Sequence, residues 1–275
     1  MSVPRPHAII TGGSSGIGKA IARQFLQRNA HITLIARRSA VLLQAKSELE
    51  MGKEDNDQQI LILTADVSVE EQISAAIAQA IQIHGSPNWL ILSAGVARPG
   101  LFQDLPLAVF EQTMATNYFG SLYSLKAALP AMQAQGEGHV VFIASGAGLV
   151  GFYGYSPYSA SKFALRGLAE SLRGELQPLG LRVSIVYPPD TDTPQLAAEQ
   201  LTKPLATQMI TATAQTWTPE AVAATIVAGI DRQVFTITPG WEMTLLERLH
   251  SLIAPLLQNY CDRLVARATR RAFPP

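Results

Sequence analysis

The sequence predicts an α/β fold built on a doubly wound parallel sheet, and three observations predict it. Short β-branched or aliphatic runs alternate with longer segments of helical period from residue 7 to residue 187, and these runs are apolar throughout. A glycine-rich turn stands between the first run and the first helical segment. Strands that read apolar on both sides are buried on both faces, which requires helices above and below the sheet. The expected architecture is Rossmann-like, a single domain over 1–240 with a helical insertion at 195–230 above the carboxyl edge of the sheet. An amphipathic helical extension is expected at 241–275.

Strand one opens on "HAII" and runs into "TGGSSGIG" at 11–18. Glycines at 12, 16 and 18 permit positive φ and close backbone approach, and the helix start at Gly16 and Ile17 offers unpaired N–H groups to an anion. This is a cradle for a pyrophosphate, with the spacing G-x-x-x-G-x-G rather than G-x-G-x-x-G. After a helix at 16–28, strand two reads "HITLIA" and ends at Ala36, where an acid commonly accepts the ribose 2′-hydroxyl of NAD. Arg37 and Arg38 follow instead, which favours a 2′-phosphate and hence NADPH. Arg37 is the expected bidentate partner, helped by Ser14 or Ser15, whereas Arg38 reads as a solvated charge at the start of helix 39–52.

Strand three, "ILILTAD", ends at Asp66, whose carboxylate either accepts from an adenine amino group or, with Ser68, caps the helix at 69–84. "WLILSAG" is strand four, and the segment 107–134 reads as one helix containing Asn117. An asparagine in mid-helix is locally unfavourable, so it serves either function, a helix kink or a buried hydrogen bond. "GHVVFIAS" is strand five, ending at Ser145, and helix 156–177 carries "YSASK". Tyr158 and Lys162, four apart, share one helical face, where an ammonium beside a phenol favours the phenolate and makes a tunable acid. Ser145, thirteen residues earlier at a strand end, faces them as a donor to a carbonyl oxygen.

Taken together, "TGGSSGIG", "SAG" at 93–95, Asn117 in "ATNYFG", Ser145, "YSASK" and the "PP" turn after "RVSIVY" make the chain resemble the short-chain dehydrogenase/reductase family over residues 7–194. The resemblance implies that Tyr158 gives the proton to a ketone and that Ser145 polarises the carbonyl. It further implies that Lys162 holds the nicotinamide ribose and lowers the tyrosine pKa, and that Asn117 positions a water in a proton relay. The implied NADP(H) site comprises Gly12, Ser14, Ser15, Gly16, Ile17, Gly18, Arg37, Asp66, Val67, Ala94 and Gly95. Tyr158, Lys162, Pro188, Thr191 and Thr193 complete it on the nicotinamide side. Two positions depart from the family pattern: Ser93 stands where Asn is common, and Pro189 where Gly is usual.

Within the family, "YPPDTDTP" with the following "E" and "TKPL", together with "ITLIARRSAVLLQAKSELE", is similar to the 3-ketodihydrosphingosine reductases. That likeness implies a lipophilic long-chain ketone as substrate and a place in sphingolipid synthesis. In the "PPDTDTP" corner the two prolines fix φ and remove two donors, Thr191 and Thr193 offer groups to a carboxamide, and Asp190 and Asp192 either cap the next helix or face a substrate amino group. Two other readings are a broader carbonyl reductase of 3-oxoacyl or other lipophilic ketones and a non-catalytic nucleotide-binding protein on the same fold.

In the tail, Leu245, Leu246, Leu249, Leu252, Ile253, Leu256 and Leu257 recur at helical spacing ahead of Arg263, Arg267, Arg270 and Arg271, with Pro255 expected to kink the helix. Such a helix either lies in an anionic membrane surface as a peripheral contact or packs on its own domain or a dimer mate. Helices 107–134 and 156–177 are those the family pairs between subunits, so a homodimer or homotetramer is expected. The 21 basic and 21 acidic residues cancel, which argues against nucleic acid as a partner, and no metal-ligand spacing appears. The single Cys261 precludes an internal disulfide, and the chain shows neither a signal-type leader nor an apolar run long enough to span a bilayer. A cytoplasmic protein, peripheral at most, is the expectation.

Overall fold

The computed structural model describes residues 5–53, 55, 57–212 and 215–272. Strands β1 (His7–Thr11), β2 (His31–Ala36), β3 (Ile60–Thr64), β4 (Trp89–Leu92), β5 (Gly138–Ile143), β6 (Leu181–Val186) and β7 (Thr236–Ile237) form one sheet in the order β3-β2-β1-β4-β5-β6-β7. Every pairing among these described strands is parallel. Ile9 of β1 lies beside Thr33 on one side and Leu90 on the other. The chain winds outward from β1 to β3, then crosses back to lay β4 against β1. That reversal opens a crevice at the carboxyl ends of β1 and β4, where ligands bind in open α/β sheets.

Period-two alternation sorts the buried side chains onto the two faces. Ile9, Leu90, Leu92, Val140 and Phe142 point into one core, closed by α3 (Glu70–His84), α5 (Gly120–Gln135) and α6 (Ser156–Leu176). Ala8, Ile10, Ile91, Val141 and Ile143 point into the other, closed by α1 (Gly16–Leu26), α2 (Ser39–Glu50) and α9 (Pro219–Asp231). The continuous apolar runs of the strands are explained by these two cores.

Three expectations are corrected here. The segment 107–134 is not one α-helix: α4 (Leu107–Met114) and α5 are joined by a π-turn at Ala115–Phe119. The insertion does not extend over 195–230. Only α7 (Pro194–Gln200) and α8 (Leu205–Thr211) belong to it, because Val222, Ala223, Ile226, Val227 and Ile230 bury α9 in the second core against α1. Nor is the final helix α10 (Trp241–Ala272) a separate extension. Its first turns bring Met243 and Leu246 to the crevice, and the helix packs on α8, with Leu264 and Ala268 buried. Pro255 lies within α10; the side chains of Ile253, Leu256, Leu257, Arg270 and Arg271 lie outside the described residues. No helix among the described residues is long and apolar enough to cross a membrane.

Candidate active site

A single cavity of about 680 Å³ runs from the glycine turn, across the ends of β4 and β5, to α7 and the start of α10. At its nucleotide end, Gly12 has φ +70° and Gly16 φ +53°. A Cβ on Gly12 would stand 2.8 Å from the backbone of Ala94, and one on Gly18 would stand 2.6 Å from the Gly12 carbonyl oxygen. No side chain fits at either position, which keeps the α1 N-terminus open to an anion. Ser15 occupies the N-cap position of α1 without capping it, and lines the cavity together with Ser14 and Ile17.

At the end of β2, Arg37 and Arg38 both line the cavity, with no carboxylate at Ala36. Arg37 Nη1 stands 3.8 Å from Asp66 Oδ2, and its side chain is 49% exposed, a loose surface pair that leaves the guanidinium available. Asp66 Oδ1 accepts from both the N–H (3.0 Å) and the hydroxyl (2.7 Å) of Ser68, so the carboxylate braces the turn before α3. Its neighbours Ala65 and Val67 line the cavity, whereas Asp66 does not. The residues present fit a dinucleotide carrying a 2′-phosphate: an anion cradle without side chains at one point, and at the other two cations with no acid at the end of β2.

The reacting groups converge in the middle. Tyr158 and Lys162 share a face of α6, with the Lys162 ammonium 5.4 Å from the centre of the Tyr158 ring. Lys162 is buried, donates from Nζ to the Ile143 carbonyl at 2.8 Å, and has its pKa lowered to about 8 by burial, the Glu199 carboxylate opposing. The Ser145 hydroxyl accepts from the Ala147 N–H at 3.2 Å, which occupies a lone pair and leaves the hydroxyl proton to be donated elsewhere. In this pocket the Tyr158 pKa lies above its ordinary value. Burial raises it, Glu199 and Asp190 add to the rise, and hydrogen bonds from Ser145 and Gln195 only partly offset it. The phenol is held as an acid.

Asn117 lies in the π-turn, fully buried. Its Oδ1 accepts from Val96 N at 2.8 Å, and its Nδ2 donates to Val96 O at 3.0 Å and to Ser161 Oγ at 2.9 Å. The side chain therefore pins the loop after β4, and with it Ala94 and Gly95, to α6. A Cβ on Gly95 would lie 3.4 Å from Asn117 Oδ1 and 3.7 Å from Lys162 Nζ, so these three positions meet.

The proline corner is more fully engaged than its hydroxyls suggest. Thr191 Oγ1 donates to the Pro189 carbonyl at 2.8 Å. Thr193 Oγ1 accepts from Leu196 N at 3.2 Å and is the N-cap of α7, the task expected of an aspartate. Asp192 is exposed and outside the cavity, whereas Pro188, Asp190, Thr191 and Thr193 line it. Beyond Tyr158, sequence reasoning assigned no role to Tyr155, Gln195 or Glu199. All three line the cavity; the Tyr155 hydroxyl donates to Glu199 Oε2 at 2.7 Å, and burial beside that carboxylate raises the Tyr155 pKa. The signal available was the spacing of Gln195 and Glu199, four apart on a helix opened by Thr193.

The family model for short chain dehydrogenases matches residues 6–204. The chain is 42% identical over 93% of its length to the 3-ketodihydrosphingosine reductase of Bos taurus, covering 77% of that protein. It is 39% identical to the 3-dehydrosphinganine reductase of Danio rerio, over 91% of this chain and 76% of that one. It is also 39% identical to the 3-ketodihydrosphingosine reductase of Dictyostelium discoideum, over 96% and 83%. Among solved structures, a short-chain dehydrogenase/reductase from Burkholderia phymatum in complex with NAD shares the fold with a TM-score of 0.81 at 22% identity, over 93% of this chain and 96% of that one. Levodione reductase matches with a TM-score of 0.77 at 26% identity, over 86% and 95%. The glycine cradle, the converging Ser145, Tyr158 and Lys162, and these matches together place the chain in the short-chain dehydrogenase family.

Proposed function

We propose that the protein reduces the 3-keto group of 3-ketodihydrosphingosine, with NADPH as reductant and Tyr158 as proton donor. The observation that carries the reading is a half-buried Tyr158, its pKa raised, flanked by Ser145 and Lys162 in one cavity that joins the phosphate cradle to Phe152, Ile210, Met243 and Leu246. The relatives named above, aligned through the α7–α8 segment as well as the catalytic helix, supply the substrate. Bound NADPH supplies the hydride that reaches C3. The chain's own residues do the rest. Gly12, Gly16 and Gly18 admit the pyrophosphate, and Arg37 with Ser14 or Ser15 holds the 2′-phosphate. Lys162 orients the nicotinamide ribose from the α6 side. Ser145 donates to the ketone oxygen, and Tyr158 gives its proton to that same oxygen as it becomes an alkoxide. Asn117, pinning the loop that meets Lys162 at Gly95, holds the relay that returns a proton to the phenol.

The test is the loss of reduced-nicotinamide absorbance with 3-ketodihydrosphingosine beside a panel of 3-oxoacyl thioesters and simple ketones. The sphingoid ketone is expected to give the highest kcat/KM. A protein that binds NADPH yet leaves this ketone unchanged overturns the reading, and a higher kcat/KM for a 3-oxoacyl thioester overturns the substrate.

The same reading makes the protein a cytoplasmic enzyme meeting its lipid at a membrane surface. Trp241, Leu245, Leu249 and Leu252 lie along one exposed stripe of α10 and support that contact. Phe119 and Phe163, exposed on the helix pair that the family uses between subunits, support a homodimer. Vesicle co-sedimentation and light scattering test the two in turn.

A further inference from the structure

Glu199 is the one buried acid of the cavity to which the hydride and proton chemistry gives no task. It is 8% exposed on α7 and lines the same cavity as Tyr158. Oε2 accepts from Tyr155 Oη at 2.7 Å and Oε1 from Gln195 Nε2 at 2.9 Å, and each oxygen retains a further lone pair. Among the described residues, no basic nitrogen lies within 4.0 Å of it. A carboxylate withdrawn from water and met only by neutral donors is costly until a cation joins it.

The position of this charge narrows what the cation is. Gln195 donates to Glu199 and also acts on the Tyr158 hydroxyl, so the carboxylate stands close to the atom that protonates the ketone oxygen. The charge is felt there, since Glu199 is the leading electrostatic cause of the raised Tyr158 pKa and opposes the fall in that of Lys162. For a plain ketone such a group brings a burial cost and no contact, and an apolar residue would serve better. Phe152, Ile210, Met243 and Leu246 give the same cavity apolar lining, and Glu242 beside Met243 is exposed. A buried anionic point near the reacting oxygen, in a cavity that also has apolar lining, matches a long-chain molecule with an ammonium on the carbon adjacent to its carbonyl.

We propose that Glu199 is the receptor for the substrate ammonium and the residue that selects an α-amino ketone over a plain ketone of equal chain length. This rests on the reductase reading above and adds the group that recognises the amine. Asp190 also lines the cavity, but it is only partly buried and acts on Tyr158 more weakly than Glu199 does.

The experiment uses the full chain with NADPH at neutral pH and two substrates: 3-ketodihydrosphingosine and the same-length 1-hydroxy-3-ketone without the amine. The readout is the ratio of their kcat/KM values. The wild type is expected to favour the amino ketone, Glu199→Gln to cut that ratio roughly 10- to 100-fold, chiefly through KM, and Asp190→Asn to keep it. Nicotinamide fluorescence checks that each variant is folded and binds NADPH. An unchanged ratio in a folded Glu199→Gln overturns the proposal and leaves the reductase reading standing, as does a wild type that treats both ketones alike. A wild type that reduces neither overturns both. Independently of any variant, a long-chain primary amine should inhibit the wild type at least tenfold better than the alcohol of equal length; equal inhibition sinks the ammonium receptor.

Discussion

Raising the pH is expected to disable the protein at Lys162. The side chain is 4% exposed, and burial lowers its pKa from 10.5 to about 8. That change makes the ammonium roughly 300-fold easier to deprotonate, ~3 kcal/mol in favour of the neutral amine. The sign is that of a depressed base: the charge needed to orient the ribose is present below pH 8 and lost above it, the protonated fraction falling about tenfold per pH unit. Tyr158 adds no limb in this range, because burial and Glu199 hold its phenol well above its ordinary value. The assay is kcat/KM for the dinucleotide across pH 6 to 10, which reports the free protein. It should fall with unit slope from about pH 8, while kcat, measured with the anionic dinucleotide in place, should hold to higher pH. Glu199 opposes the fall in the Lys162 pKa, so Glu199→Gln should move the limb to lower pH. Lys162→Arg, with a guanidinium that stays charged, should remove the limb at whatever activity remains. A profile flat to pH 10, or a limb that stays in place in Glu199→Gln, refutes the electrostatic account.

Three further outcomes are expected. Tyr158→Phe should lower kcat about 10²- to 10⁴-fold while NADPH affinity, measured by fluorescence titration, stays near that of the wild type, because the change removes a proton and no part of the phosphate cradle. Arg37→Asp should shift preference from NADPH towards NADH by roughly tenfold or more; an unchanged ratio of kcat/KM values would assign the 2′-phosphate to Arg38. His7 and His139 are buried and neutral, each with its pKa lowered to about 4 chiefly by burial, so the unfolded chain takes up protons first as the pH drops. Stability present above pH 6.5 should therefore be lost as pH falls towards 4, by ~3 kcal/mol per histidine. Urea midpoints at pH 7 and pH 5 should converge in His139→Gln relative to the wild type.

Much of the fold was legible because buried parallel strands carry an unmistakable pattern. "ILIL" and "WLIL" have no polar residue to misplace, and the glycine turn announced the first crossover. The π-turn escaped because "ATNYF" has ordinary helical character, and its extra residue is fixed by where Asn117 finds partners in Val96 and Ser161. The two-residue β7 is too short to show a period, and α9 was read as part of the insertion although Thr218 and Pro219 open a new helix there. The reacting set was legible through spacing within one helix, Tyr158 to Lys162. Glu199 was not, since its meaning lies in burial beside Tyr155, forty-four residues away in the chain. A carboxylate's burial is a tertiary fact.

The π-turn also sets a phase. Each residue of an α-helix turns the face by ~100°, and one residue added without that advance lets the same stretch of chain address two neighbours in succession. Before the turn α4 packs on α6, and after it α5 packs on α3. Losing a single residue here would restore regular helix and rotate everything downstream out of register with α3, so this site should tolerate substitutions at Tyr118 or Phe119 better than any deletion. The irregular turn works as a coupling between two halves of the molecule that could not both be satisfied by a straight rod.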